Sequence, residues 1–121
     1  MAYIEVFPNS AAAQQNLTDN SAAIMDLLQG ASKSALNVPD HDIIVVLNSC
    51  TAIAFNVSAI REGAVPDVVV KISTSDIELQ SQFQNLCDQI VSDWDAQFGS
   101  LLKMEVWVSA IEAWGCNVSF D

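Results

Sequence analysis

The feature that most limits the fold of this chain is an order of elements that occurs twice. A strand-length apolar run leads into a long amphipathic stretch and then a second apolar run; after a connection, the same order returns. In Tyr3-Ile4-Glu5-Val6-Phe7, Ile4 and Val6 share one face while Tyr3, Glu5 and Phe7 share the other, the alternation of a strand. Pro8-Asn9-Ser10 ends it. The helical stretch that follows is capped by Ser10 or Thr18, and Ile24, Leu27, Leu28, Ala31, Ala35 and Leu36 recur at the spacing of one helix face. Gly30 weakens that helix by roughly 1 kcal/mol relative to Ala. Asn37-Val38-Pro39-Asp40 stops it, and the continuous apolar run from Asp42 to Asn48 reads as an inner strand covered on both faces.

Ser49 to Pro66 forms a connection, with short strand character at Thr51–Phe55. The order then repeats. Asp67-Val68-Val69-Val70-Lys71-Ile72-Ser73 is a strand, and Ser75-Asp76-Ile77-Glu78 matches the S-x-x-E capping box that opens a helix. Phe83, Leu86, Cys87, Ile90, Val91, Trp94 and Phe98 mark one face of that helix, and Gly99 stands at its stop. Lys103 to Ser109 alternates as a strand, with Met104, Val106 and Val108 on the core side. The halves, about 1–60 and 61–121, are offset by roughly 61 to 65 residues.

Two strands joined through a long helix imply a parallel, right-handed crossover. Two such units with their helices on one side predict an α+β fold: tandem β-α-β units in a two-layer sandwich. The far sheet face is then open, and Tyr3, Glu5, Phe7, Glu105 and Trp107 point there, which predicts packing against other subunits.

Length and charge narrow the function. A chain of 121 residues predicts a single domain. Four Lys/Arg against fifteen Asp/Glu give a net charge of −11, and the cations stand far apart, at Lys33, Arg61, Lys71 and Lys103. Nucleic acid and anionic membranes both require clustered cations, so neither is an expected partner. No apolar run reaches the roughly 20 residues of a membrane span, and no signal-peptide pattern opens the chain, so a cytoplasmic location is expected. Cys50, Cys87 and Cys116 make no metal-binding spacing, and no cofactor motif stands out. Cys87 reads as a small buried hydrophobe. The N-x-S/T matches at Asn16, Asn56 and Asn117 have no secretory context.

The element order at this length resembles the fused-repeat branch of the tautomerase superfamily, to which macrophage migration inhibitory factor and malonate semialdehyde decarboxylase belong. Matching features are the strand directly after Met1, Asn37-Val38-Pro39 before the second strand, and Val68-Val69-Val70-Lys71-Ile72-Ser73 leading into a helix. The tail Glu112-Ala113-Trp114-Gly115-Cys116 and the ending Asn117-Val118-Ser119-Phe120 are similar to the endings of several members. The resemblance implies a homotrimer with sites between subunits. It also implies a catalytic proline amine at residue two, whose low pKa in an apolar pocket makes it a general base toward small keto or enol acids, or an acid when its pKa is raised. Here residue two is Ala2, and Ser73–Asp76 carries none of the arginines of the decarboxylase-type members.

The candidate catalytic residues are Ala2 and His41, and the candidate substrate-binding residues are Lys71, Ser73 and Trp114. Ala2 offers a primary amine if Met1 is removed; free α-amines titrate near 7.7–8.0 and burial lowers that. His41 suits acid–base chemistry at neutral pH and precedes a strand whose start lies at the same sheet edge as Ala2, although a solvated loop histidine is the commoner case before a strand. Lys71 is a pocket cation or Schiff-base lysine, or a strand lysine that snorkels to water. Trp107, Trp114 and Phe120 also read as interface or core groups. Three functions stay open: a weak tautomerase acting on small keto or enol acids through an N-terminal amine, a non-catalytic trimeric binding or interaction protein on that scaffold, or a ferredoxin-like module binding a small ligand.

Overall fold

The computed structural model describes residues 1–111 and 119; Trp114, Cys116, Asn117 and Phe120 lie outside the described residues. The elements run β1 (Ala2–Pro8), α1 (Ala11–Asp19), α2 (Ser21–Leu36), β2 (Ile43–Leu47), α3 (Val57–Arg61), β3 (Val68–Thr74), α4 (Phe83–Phe98) and β4 (Met104–Ala110). The sheet order is β2-β1-β3-β4. β1 and β2 are parallel, as are β3 and β4, while the central pair β1 and β3 is antiparallel. Each half is therefore a β-α-β unit with its two strands adjacent, and the fold is α+β. The split β-α-β of a ferredoxin-like sheet places another strand between them, so that arrangement is excluded.

The antiparallel register pairs Ala2 with Thr74 and Pro8 with Val68, so an approximate twofold passes near Glu5 and Lys71 and carries Ala2 onto Val68. In the outer strands it carries Ile43 onto Met104. The repeat offset is thus 66 residues in the central strands, from Ala2 to Val68, and 61 in the outer ones, from Ile43 to Met104.

One sheet face carries the core. Ile4, Val6, Val68, Val70 and Ile72 meet Ile24, Leu28 and Leu36 of α2 and Leu86, Ile90 and Trp94 of α4. Fully burying an aliphatic or aromatic side chain of this kind stabilises the fold by roughly 1.5–3 kcal/mol. Trp94 satisfies its indole N–H on the Leu102 carbonyl at 2.8 Å, which fixes the exit of α4 toward β4.

Several expectations are corrected. Ser10 is the cap, accepting from Ala13 N–H at 3.0 Å; the Thr18 hydroxyl instead donates back to the Gln14 carbonyl within α1. The first helical stretch is two helices, broken at Asn20. No capping box forms at Ser75: residues 77–82 make 3-10 turns, and α4 starts only at Phe83. Val91 is 38% exposed, off the buried stripe of α4. β2 is an edge strand and not an inner one, with Ile44 45% exposed. One face of its apolar run meets the core, and the other, with Ile44 and Val46, lies on the open face of the sheet beside Tyr3 and Glu5. Thr51–Phe55 forms no strand within the chain.

Candidate functional site

The head of β1 sits where three segments converge. Parallel pairing of Ala2 with Ile43 brings the 3-10 turn Asp40–Asp42 beside Met1, and antiparallel pairing with Thr74 brings the exit of β3 to the other side. The N-terminal ammonium lies 3.2 Å from an Asp42 carboxylate oxygen and 3.1 Å from one of Asp76. The buried Thr74 hydroxyl donates to the Met1 carbonyl at 2.9 Å and accepts the Asp76 backbone N–H at 3.1 Å. Desolvation is the largest single influence on the amine and lowers its pKa. Hydrogen bonds and charge from Asp76 and Asp42 together outweigh it and raise the pKa above the ordinary α-amine value of 8.0.

The second half has a counterpart with its charges rearranged. The approximate twofold carries Met1 onto Asp67 and Asp42 onto Lys103. There the Asp67 carboxylate accepts the Lys103 backbone N–H at 2.8 Å, and Asp67 N–H donates to the Lys103 carbonyl at 2.9 Å. At each end of the sheet a group on the first strand of the unit ties down the start of its parallel neighbour.

The sequence candidates do not gather at one point of the chain. Ala2 is fully buried on the helix-facing side, and its neighbours are the groups just described. His41 is exposed in the Asp40–Asp42 turn, where Asp42, and not His41, reaches the amine. Lys71 and Ser73 lie on the opposite, open face, with Ser73 paired to Tyr3 and Lys71 between Glu5 and Trp107. The Lys71 ammonium sits 5.2 Å from the Phe7 ring centroid, a cation–π contact. Lys71 is three residues along β3 from Thr74, roughly 10 Å at strand rise.

A groove of about 300 Å³ runs beside β4, lined by Phe83, Gln84, Cys87, Glu105, Trp107 and Val108 among others. Burial, the largest influence, and the Asp88 charge push the Cys87 thiol up, against a backbone hydrogen bond from Val108 that lowers it. A raised thiol is a poor nucleophile, so this groove offers shape without reactive sulfur.

The groups missed in the sequence are Asp42, Thr74 and Asp76. Asp76 was assigned to a helix start and Asp42 to a strand boundary; only the strand pairing shows that both flank one amine. The available signal was an acidic residue at each junction bordering β1, in a chain with few cations to neutralise them.

No sequence-family model matches the chain, and no curated protein matches it. Solved structures do. A 5-carboxymethyl-2-hydroxymuconate delta-isomerase superposes with a TM-score of 0.63 at 11% identity, covering 100% of this chain and 89% of the other. N1, a member of the cis-3-chloroacrylic acid dehalogenase family, gives 0.60 at 19% identity over 90% of this chain and 74% of the other. A macrophage migration inhibitory factor-like protein from Entamoeba histolytica gives 0.58 at 13% identity over 99% and 93%. These neighbours span the tautomerase superfamily, and the chain carries that superfamily's fold.

Proposed function

We propose that this protein is a self-assembling binding or interaction protein on the tautomerase scaffold, with an N-terminal amine that does not serve as a general base. The observation that carries this is the ammonium held between Asp42 and Asp76. A general base must be unprotonated near the working pH, and two carboxylates at hydrogen-bonding distance favour the proton. The same charges disfavour an incoming keto or enol acid. Removing Met1 shifts the amine to Ala2, still at the strand head that Asp42 and Asp76 border.

Self-assembly draws support from three surfaces. β4 and β2 are edge strands, and Trp107 on the open face is 60% exposed. Thr51–Phe55 carries no charge, and Ile53 within it is 100% exposed. An uncharged segment and an edge strand unpaired among the described residues fit one another as a head-to-tail contact, and such contacts form rings where the rotation closes. Two fused 4-OT structures with TM-scores of 0.56 and 0.52 are described as trimers. We propose a ring of three, in which Thr51–Phe55 of one copy lies along β4 of the next.

A keto–enol assay with phenylpyruvate tests the catalytic half of this reading, with mass spectrometry fixing the state of Met1. The expected rate is that of buffer. A rate about 10²-fold or more above buffer, abolished by blocking the α-amine, would establish the amine as a working base and overturn the proposal.

A further inference from the structure

We propose that the Met1 ammonium is a charge-operated latch on the strand-entry turn Asp40–Asp42, opened when the charge is lost, either by deprotonation or by Nα-acylation from an acyl thioester. In that acylation the deprotonated amine bonds the acyl carbon, the thiolate leaves and the amine's protons are released to solvent. The turn is gripped from two sides. On its outer side, α2 holds Asp40: Lys33 pairs with its carboxylate at 3.4 Å, and the Gln29 carboxamide donates to its carbonyl at 3.3 Å. On its inner side the only polar tie among the described residues is the Met1 ammonium, which takes Asp42 at 3.2 Å while also taking Asp76 at 3.1 Å. Both carboxylates reach one nitrogen, so their nearest oxygens stand no more than about 6.3 Å apart. The positive charge between them is what makes that closeness tolerable.

Acylation removes the charge and two of the three N–H donors. Asp42 and Asp76 then face each other as like charges. Asp76 is held in place, because its backbone N–H is bonded to the buried Thr74 hydroxyl. Asp42 is the freer partner: its backbone N–H is bonded only within its own turn, to the Pro39 carbonyl at 2.9 Å, and its side chain is 42% exposed against 23% for Asp76. The turn therefore yields, carrying with it exposed His41 and the start of edge strand β2. The charged groups that face the amine are Asp42 from the turn and Asp76 from beyond β3; Asp40 and His41 share the turn, with Lys33 behind it on α2. The latch works over the range in which the amine holds its proton, and high pH opens it as acylation does.

The test compares hydrogen exchange of the full chain with a free α-amine against the Nα-acetylated chain, mass spectrometry confirming Met1 in both. Peptides covering 40–44 and 74–77 are expected to exchange about five-fold faster after acetylation, a change the size of one or two surface ion pairs. Those covering Leu86–Trp94 should not change. In Asp42→Asn/Asp76→Asn protein, acetylation should have no further effect. Equal exchange in the free and acetylated chains would overturn the latch. So would acceleration spread through α4, or an acetylation effect that persists in the double variant. The readout is exchange and not turnover, so it stands or falls apart from the catalytic proposal.

Discussion

The amine of Met1 shows how far one residue's chemistry depends on what the fold sets beside it. An α-amine in an apolar pocket loses its proton easily; the same group between Asp42 and Asp76 keeps it. The sign carries into stability. The folded-state pKa lies above the unfolded value of 8.0, so the clasp contributes in full below about pH 8 and is lost as pH rises through the folded pKa. Asp76→Asn should therefore lower stability at pH 7 by up to about 1 kcal/mol, the range of partly exposed ion pairs. Denaturant titrations of the two proteins should converge at high pH. A gap that stayed constant from pH 7 to pH 11 would assign the loss to packing and not to charge.

At the scale of elements, much was legible in the sequence. Each strand begins within one residue of its apolar pattern, since alternation survives in Ile4/Val6, Val70/Ile72 and Val106/Val108 whatever the helices do. The α4 stripe through Leu86, Ile90 and Trp94 was legible for the same reason. What failed were the joints. Ser75 has the right neighbours for a capping box, but the chain there leaves β3 through Thr74 and Asp76, whose mutual hydrogen bond occupies the turn. β2 reads as an inner strand because a run of apolar residues marks a strand without saying what lies against each of its faces. The site was least legible, because Asp42 and Asp76 meet only through strand register. Trp94 gives the element-scale prediction. Trp94→Ala should cost about 3–5 kcal/mol. Trp94→Phe should cost about 1–3 kcal/mol, largely by leaving the buried Leu102 carbonyl unpartnered. Thermal or denaturant unfolding checks both; a Trp94→Phe loss close to zero would mean that the indole hydrogen bond contributes nothing.

For the molecule as a whole, the net charge of −11 opposes the proposed assembly through the open sheet face and the uncharged Thr51–Phe55 segment. Screening should tip that balance, so association should strengthen with salt. Sedimentation at micromolar concentration should give three times the 13.1 kDa chain mass, and Ile53→Asp should shift the equilibrium toward single chains. A wild-type monomer at moderate salt would refute the ring. Assembly also bears on the amine, since a subunit boundary near the head of β1 would strip water from it. Burial alone would then turn the amine into a base; burial together with Asp42 and Asp76 leaves it an ammonium. The most direct test is therefore a nitrogen-15 NMR titration of the α-amine in the assembled protein. The account predicts a midpoint above 8.0 that falls toward it in Asp42→Asn/Asp76→Asn protein. A wild-type midpoint well below 8.0 would mean that desolvation wins at this site, and would contradict the account.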